Sequence, residues 1–335
     1  MGKKMASVAL FVGAFLIALA ALSKFYMYDR LAVAPQNTTS TSISETAPGA
    51  DAEYLDVANL EVVSGPLKST RIVEGDVEKS KEASDDLGKP VDVWFTYSCT
   101  DTPDFECGSG KTPLSGTTDL VAFDANTGEA VDWKGSSSES GGEAPTEPAN
   151  FEGLYFKFPF DTQKKTYKFW DGTLDQATDA TYVGEGTVDG MKVYKFEQVI
   201  EPTKTGTIDV PGDLVGSDED TVTADRIYSN VRTFSVEPTT GVIVVGGEAQ
   251  DSYLQVDGER KLTTTQATLQ YTDENTKSTV DEYRSKARML GLVKTGVPVG
   301  GGIAGLVLVG VGLLGARRGK ESSKGSSDDR ELAHA

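Results

Sequence analysis

The sequence predicts a mainly β protein in which a large antiparallel, barrel-like sheet forms a domain flanked by one transmembrane α-helix at each end. Two long apolar runs lie near the ends of the 335-residue chain. Between them, residues 31–293 hold 46 acidic and 22 basic side chains, a net charge of −24 that fits an exposed, soluble domain. Within that segment, short β-branched and aromatic runs alternate with turn residues and show no helical periodicity, which favours antiparallel strands.

The first apolar run predicts an uncleaved membrane anchor. Residues 1–5 are basic, and residues 6–28 form transmembrane helix 1. About 20 apolar residues cross roughly 30 Å of hydrocarbon, and the aromatic residues at the end of the run suit a membrane interface. A secretory signal cleaved after Ala18-Leu19-Ala20 is the alternative.

The second apolar run, residues 296–316, contains no charge and predicts transmembrane helix 2. Basic residues flank both runs on the sides away from the central segment. The positive-inside rule therefore predicts a two-pass plasma-membrane protein with both termini cytoplasmic. The β-rich domain, residues 29–275, is then exoplasmic, and residues 317–335 are predicted to form a disordered cytoplasmic tail.

Residues 276–295 predict an amphipathic juxtamembrane helix. Its apolar positions recur at helical spacing: Val280, Tyr283, Ala287 and Leu290. Arg284, Lys286 and Arg288 are candidates for contact with lipid headgroups, because basic residues near an anionic surface are attracted to it. A plain linker whose charges keep it at the interface is the alternative.

The second span is rich in glycine. Gly296 with Gly300, and Gly301 with Gly305, have the small-xxx-small spacing that lets helix backbones approach closely. These glycines predict that the spans pair with each other or with a neighbouring helix, including one of a second copy. The alternative is that glycine is simply common in membrane helices.

Strands and turns organise the central segment. Val91–Tyr97 predicts a strand, and three hairpins are predicted over 120–133, 181–196 and 232–245, with Asp-Gly or Thr-Gly at the turns. Two polar, low-complexity stretches separate these elements. Residues 35–50 predict a stalk or loop, and residues 135–148 predict a mobile loop.

Cys99 and Cys107 are the two cysteines, and an exoplasmic location predicts a disulfide between them. A redox-active pair is the alternative. The one histidine is His334, so the folded segment has no histidine for a catalytic triad, a zinc site or haem. The chain also has neither a Gly-x-Ser-x-Gly elbow nor a phosphate-binding glycine loop. We expect no enzyme activity, catalytic residue, cofactor or metal, and the acidic surface argues against nucleic acid binding.

Carboxylates are abundant but form no recognisable site pattern. Asp171, Asp175 and Asp179 recur every four residues and are predicted to lie on a polar surface. The acidic run 218–220 is predicted to be a solvated loop, because it lacks the alternating ligands and glycine of a calcium loop.

The densest aromatic region covers residues 153–160 and 167–171. One interpretation is that it forms the wall of an apolar cavity for lipid chains. The candidate residues are Leu154, Phe156, Phe158, Tyr167 and Trp170. The alternative is an ordinary strand buried on both faces.

These features together resemble a known family. The Lys-flanked first span, the segment Gly-x-Tyr-Phe-Lys-Phe-Pro-Phe with Tyr-Lys-Phe-Trp-Asp after it, the turn Val-Glu-Pro-Thr-Thr-Gly and the glycine-rich second span are similar to the actinobacterial PorA family, which is also described as a domain of unknown function with two terminal spans. The resemblance covers essentially the full chain. The layout also resembles the class B scavenger receptors, which have two terminal spans and a β-rich ectodomain with a lipid-conducting tunnel.

The resemblance implies an exoplasmic protein that binds a lipid, glycolipid or lipoglycan and transfers or regulates cell-envelope lipids in an actinobacterium. The alternative is a structural subunit or scaffold of an envelope protein complex. Its partner would be another envelope protein or a second copy of this chain. A pore is the third and least favoured interpretation. A lipid-exposed barrel needs its strands inside the membrane, whereas these strands are acidic.

Overall fold

The computed structural model describes residues 3–57, 59–141 and 144–331. They form two compact units. One contains the residues up to Val33 and those from Ser285 onward, and the other is Ala34–Arg284. The mainly β prediction with a terminal helix at each end is confirmed.

The first unit is helical and holds two helices long and apolar enough to cross a membrane, within Lys4–Leu31 and Asp273–Arg317. Its elements are α1 (Lys3–Leu22), a π-helical turn (Ser23–Met27), α2 (Tyr28–Leu31), the end of α4 (Asp273–Gly291), a second π-helical turn (Leu292–Gly296) and α5 (Val297–Glu331).

Helices α1 and α5 touch along small residues. A Cβ atom added to Gly305 would lie 2.7 Å from the Gly13 carbonyl oxygen, and one added to Gly13 would lie 2.7 Å from the Gly305 carbonyl oxygen. Gly301 lies close to α1 as well, with its Cβ position 3.7 Å from that of Ala20. Such distances require residues without a side chain, as in other close membrane helix pairs.

Helix α5 continues beyond Ala316, the predicted end of the second span, to Glu331. The structure therefore differs from the disordered tail predicted for residues 317–335, since no proline after Pro298 interrupts the helix. Residues 332–335, which include His334, lie outside the described residues.

The second unit is built around one antiparallel sheet. Within the described ranges its thirteen strands are β1 (Thr39–Thr46), β2 (Ala52–Asp56), β3 (Glu61–Gly65), β4 (Lys68–Gly75), β5 (Val91–Asp101), β6 (Ser115–Asp124), β7 (Ser137–Ser140), β8 (Tyr167–Asp171), β9 (Gln176–Val188), β10 (Met191–Pro211), β11 (Thr221–Val236), β12 (Ile243–Val256) and β13 (Glu259–Tyr271). Their order across the sheet is β7-β6-β5-β4-β1-β13-β12-β11-β10-β9-β8, with β2 added to β13 and β3 to β2.

The sheet curls into a half-barrel with an inner and an outer face. Helix α3 (Val77–Leu87) covers part of the outer face, where Ala83 packs among Val91 and Val93. Asp76 begins this helix by accepting a hydrogen bond from the Lys79 amide at 2.9 Å. The start of α4 also packs on the unit, through Val280.

Single bridges join the two edge regions of the curled sheet. Phe123 of β6 pairs with Ala130, and the adjacent Glu129 pairs with Leu154. Leu154 in turn pairs with Phe169 of β8. We call these contacts the seam. Because β8 lies at one end of the strand order and β6 next to the other end, the seam links the two edge regions of the half-barrel.

Several predicted elements are confirmed. The hairpin over 181–196 is β9–β10, and its turn has left-handed backbone at Asp189 (φ 46°) and Gly190 (φ 75°). The hairpin over 232–245 is β11–β12. The hairpin over 120–133 forms only in part, since its second arm makes a single bridge at Ala130.

Both polar stretches were predicted wrongly as loops. Residues 35–50 contain β1, which lies between β4 and β13 in the sheet, and residues 135–148 contain the edge strand β7. Thr and Ser can occupy strands when neighbours supply the backbone hydrogen bonds, and β1 has such a neighbour on each side.

Candidate functional site

The inner face of the sheet carries a polar wall near its centre. Ser42 of β1 lies opposite Arg71 of β4, and Ser44 lies opposite both Ser69 and Tyr271. Residues opposite each other in an antiparallel pair share a face. All five side chains are half-buried. This inner polar wall is therefore partly open to water.

Arg71 holds one end of the polar wall in place. Its Nε donates a hydrogen bond to Thr96 Oγ1 at 3.2 Å. Its guanidinium carbon lies 5.0 Å from the ring centroid of Tyr155 and 5.6 Å from that of Phe156. A guanidinium this close to two rings makes favourable cation–π contacts, so the charge is fixed rather than free to swing.

The Tyr155 hydroxyl donates a hydrogen bond to Asp119 Oδ2 on β6. The other carboxylate oxygen accepts a hydrogen bond from the Ser138 hydroxyl at 2.6 Å. Burial raises the pKa of Asp119, although both hydrogen bonds oppose the shift. Burial also raises the pKa of the Tyr155 hydroxyl. The raised pKa of Tyr155 keeps its hydroxyl a hydrogen-bond donor at neutral pH.

Arg71, Tyr155 and Asp119 form one charged cluster, and a second charged cluster lies on β8, β11 and β12. Arg232 Nη1 lies 3.1 Å from Asp171 Oδ2, and Arg232 Nε lies 3.6 Å from Glu248 Oε2. The Tyr228 hydroxyl donates to the same Asp171 oxygen at 2.9 Å. Asn230 Nδ2 donates to Glu248 at 3.2 Å. The Asp171 side chain is fully buried, whereas the Arg232 side chain is 22% exposed.

Two carboxylates, Asp171 and Glu248, stabilise the single positive charge of Arg232. Burial opposes the charge on Arg232, but attraction to Asp171, with contributions from Tyr228 and Glu248, raises the pKa of the guanidinium. Burial also raises the pKa of Tyr228. Arg71 and Arg232 would both stabilise a negative charge on the Tyr155 hydroxyl, and both therefore lower its pKa, although three strands separate β4 from β11. The curl of the sheet therefore brings both arginines to the same interior.

Aromatic residues fill the rest of the interior. The segment Ala149–Phe160 lies inside the curled sheet, and we call it the plug. Phe151 and Tyr155 pack with Trp170, while Phe156 contacts Trp94 and Phe123 on the β5–β6 side. Phe158 stacks on Phe196 of β10 with ring centroids 4.5 Å apart. The plug therefore contacts both halves of the sheet.

The residues predicted to line a lipid cavity are all in this packed interior. Leu154, Phe158 and Tyr167 belong to one cluster, and Phe156 and Trp170 pack in another. A pocket of about 300 Å³ elsewhere is lined by Leu60, Asp213, Leu214 and Leu262. The predicted regular strand over residues 153–160 is wrong: it makes isolated bridges only at Leu154, beside Gly153 with a left-handed φ of 64°.

Asp92 of β5 and Lys157 of the plug are the acid and the base whose pKa values burial shifts most toward neutral pH. Asp92 is 1% exposed, and its Oδ2 accepts no hydrogen bond within the described part of the chain. Burial raises the pKa of Asp92 to about 6 and lowers the pKa of Lys157 to about 7. Lys157 Nζ donates to the Phe158 carbonyl at 2.7 Å and lies 3.9 Å from the Phe160 ring centroid.

The predicted headgroup contacts occupy different positions. Arg284 Nη2 donates to the Asp189 carbonyl at 2.8 Å, at the turn between β9 and β10. Lys286 and Arg288 are exposed on α4.

The glycines of the second span also differ from one another. Gly301 and Gly305 face α1, whereas Gly300 has no neighbour within 4 Å of its Cβ position, and Gly296 meets Leu292 of its own helix. The predicted disulfide between Cys99 and Cys107 is confirmed.

The charged clusters were missed in the sequence, and Asp171 was wrongly assigned to a polar surface. It is buried because Arg232, Tyr228 and the amides of Thr173 and Leu174 satisfy its carboxylate. A usable signal was present in β11. Arg232 alternates with Phe234 and Val236 on one strand face, and a charge on such a face requires a buried partner.

Among the described residues, no group of three or more His, Cys, Asp or Glu side chains is placed to hold a metal ion. The polar wall, the two charged clusters and the plug are thus the features of the interior that remain for function.

Comparisons with known proteins give matches over nearly the whole chain. A family model described as Porin PorA matches residues 5–314. A protein named Porin PorA from Corynebacterium amycolatum is 28% identical over 291 residues, which covers 71% of this chain and 74% of that protein. Another Porin PorA, from Corynebacterium resistens, is 23% identical over 413 residues, covering 97% of this chain and 99% of that protein.

These findings correct the predicted function. The lipid-binding role, with a pore placed third, is wrong, because the family and both relatives carry the name of a porin. The likeness to class B scavenger receptors stays a prediction. With two membrane-length helices and these relatives, the protein is a membrane protein. The chain belongs to the Porin PorA family.

Proposed function

We propose that this protein is a subunit of a passive pore for small hydrophilic solutes in the cell envelope. The family match over residues 5–314 is the observation that carries the proposal. Permeation requires a water-lined path and no bond chemistry, so the proposal includes no catalytic residue or cofactor.

The inner polar wall supports this function. Ser42 and Ser44 supply hydroxyls that can replace water around a solute, and Arg71 supplies a fixed charge beside them. Segment 31–293 carries a net charge of −24. Negative potential concentrates cations near a path and repels anions, so we expect the pore to favour small cations.

We also propose a topology and an assembly. Basic residues flank both spans, which favours a two-pass protein in the plasma membrane with both termini cytoplasmic. Helices α1 and α5 touch at Gly13 and Gly305, so a single pair leaves no room for a solute between them. The membrane-crossing part of the path therefore requires more than one copy or a partner protein.

The test is conductance of purified full-length protein in planar bilayers, with Ser42→Asp and Thr41→Asp as matched variants. Ser42 is on the inner face and pairs with Arg71. Thr41 immediately precedes it in the same strand and lies on the outer face. We expect stepwise conductance. Under a KCl gradient, Ser42→Asp should shift the reversal potential toward that of K⁺, and Thr41→Asp should leave it unchanged.

Two results would count against the proposal. Absence of conductance for the wild type across several lipid compositions would contradict pore formation itself. Equal shifts for the two variants would retain the pore but move the solute path away from the inner polar wall.

A further inference from the structure

The two edge regions of the curled sheet are joined in this structure, and the joint depends on very few backbone bonds. Across the seam, the Ala130 amide donates to the Gly153 carbonyl at 2.7 Å. Leu154 exchanges bonds with β8: its amide donates to the Lys168 carbonyl, and its carbonyl accepts from the Trp170 amide, both at 2.8 Å. Strands β10 and β11, by contrast, are paired over most of their length.

The plug crosses the interior from the seam. Beyond Leu154, the Phe158 amide donates to the Gly241 carbonyl at 2.9 Å, and the Phe158 ring packs on Phe196. On the opposite side, Tyr155 is held by Asp119. One short segment thus fills the space between the two halves of the sheet, and its removal would expose both charged clusters to water.

The plug has the features of a segment that can leave as a unit. It contains no regular strand or helix, so few backbone hydrogen bonds hold it, although its release also requires the buried Tyr155 and Phe158 rings to leave their contacts. The one side-chain hydrogen bond from the plug to the sheet that is described above is that of Tyr155 to Asp119, since the Lys157 ammonium donates to Phe158 within the plug. Gly153, with a φ of 64°, lies where the plug meets the seam and has the backbone freedom of a hinge.

We propose that the plug, Ala149–Phe160, gates the solute path by leaving the interior when the seam opens at Leu154. This inference rests on the proposed pore function and names its regulation. The arrangement described above, with the seam joined and the plug inside, is the closed state of the path. In the open state the polar wall and the clusters of Arg71 and Arg232 line a continuous aqueous interior.

A disulfide across the seam tests the gate. Glu129 and Leu154 are directly paired in an antiparallel bridge. Opposed residues in such a bridge have Cβ atoms about 4.5–5.5 Å apart, close to what a disulfide spans. The variant is Glu129→Cys/Leu154→Cys in the full-length chain. We expect its conductance to be at least tenfold lower when oxidised than after addition of reductant.

The single variants Glu129→Cys and Leu154→Cys are the matched controls, because the reductant also reduces the native Cys99–Cys107 bond. We expect each to conduct equally with and without reductant. An oxidised double variant that conducts like its reduced form would overturn the gate while leaving the pore proposal intact.

Hydrogen exchange gives a second readout that does not depend on conductance. If the seam opens locally, plug amides such as those of Leu154 and Phe158 should exchange at least tenfold faster than paired amides of β10, such as that of Phe196. Equal protection of plug and β10 would overturn the gate even if the wild type forms no pore. If the plug amides exchange fast but the protein does not conduct, the pore proposal is contradicted and the opening of the seam is not.

Discussion

Arg232 of β11 and Asp171 of β8 form a buried ion pair with 3.1 Å between Nη1 and Oδ2, across two intervening strands. Because Asp171 is fully buried, its carboxylate depends on Arg232, Tyr228 and two backbone amides for stabilisation. The pair ties the edge of the sheet to its middle and helps to fix the curl.

Replacing Asp171 with asparagine should destabilise the fold by about 3–5 kcal/mol, because it leaves Arg232 without its buried countercharge. Chemical denaturation of the detergent-solubilised protein measures the change. Asp175→Asn is the matched control, since Asp175 is exposed and has a φ of 54° that asparagine also accepts. It should change stability by less than about 0.5 kcal/mol. Equal effects of the two variants would contradict the buried pair.

Substitution of Gly305 should separate the two membrane helices. Gly305→Leu places a side chain where even a Cβ atom would be 2.7 Å from the Gly13 carbonyl oxygen, whereas Gly300→Leu points into open space. In a chain that carries Ala20→Cys and Gly301→Cys, whose Cβ positions lie 3.7 Å apart, we expect Gly305→Leu to abolish cross-linking between α1 and α5 and Gly300→Leu to preserve it. Retained cross-linking in Gly305→Leu would show that the helices do not pair at this glycine.

Stability should depend on pH through Asp92. Its pKa is raised from 3.8 to about 6 in the folded protein, so between these values the folded state binds more protons than the unfolded state. Stability should therefore fall by about 2 kcal/mol as pH rises through this window. Asp92→Asn should reduce the fall, with the remainder coming from Asp119, whose pKa is also raised, and the exposed Asp257→Asn should retain the full fall. Melting temperatures at pH 4, 5 and 6 measure the effect, and identical pH profiles for wild type and Asp92→Asn would refute it.

The opposite trend is expected at higher pH. Lys157 has its pKa lowered from 10.5 to about 7, so the unfolded state binds more protons between these values. Stability should rise with pH above about 7, and Lys157→Met should flatten that rise. A rise that persists in Lys157→Met would assign it to another group.

Loss of the disulfide should weaken the fold modestly. Cys99 and Cys107 are eight residues apart, and closing so short a loop contributes about 2–3 kcal/mol through the unfolded state. Cys99→Ser/Cys107→Ser should lower the urea midpoint accordingly. An unchanged midpoint would mean that the unfolded chain already holds the two residues close together.

Local signals were sufficient where structure is local. Asp189–Gly190 adopts the positive φ values of a tight turn, and the flanking strands pair around it as expected. Val280 and Tyr283 recur at helical spacing and do lie on α4, where they pack against the sheet. Such elements depend mainly on their own residues.

Other elements depend on distant partners. Strand β1 consists largely of Thr and Ser, which by themselves indicate a loop, and it is a strand because β4 and β13 supply its hydrogen bonds. The partner of Arg232 is 61 positions away in the chain, and only the pairing register from β8 through β9 and β10 to β11 brings the two together. Composition and periodicity hold no information about such register.

The plug illustrates the same limit. Its aromatic residues predicted burial, and the structure buries most of them. Whether these residues line a cavity or fill one depends on how the sheet curls around them. Leu154 lies in the filled interior and bridges Glu129 on one side and Phe169 on the other. Alternation in the sequence suggested a regular strand, but left-handed Gly153 interrupts it.

The place of β1 in the sheet has a consequence for biosynthesis. Ser44 pairs with Tyr271, so a strand made early acquires its second neighbour only when the last strand emerges. At about 5–20 residues per second, the ribosome needs on the order of 10–45 s to reach β13. During that time one side of β1 presents unpaired backbone groups, which promote aggregation. Premature stop codons before β13 should therefore yield insoluble fragments, and chaperone demand should be greatest late in translation.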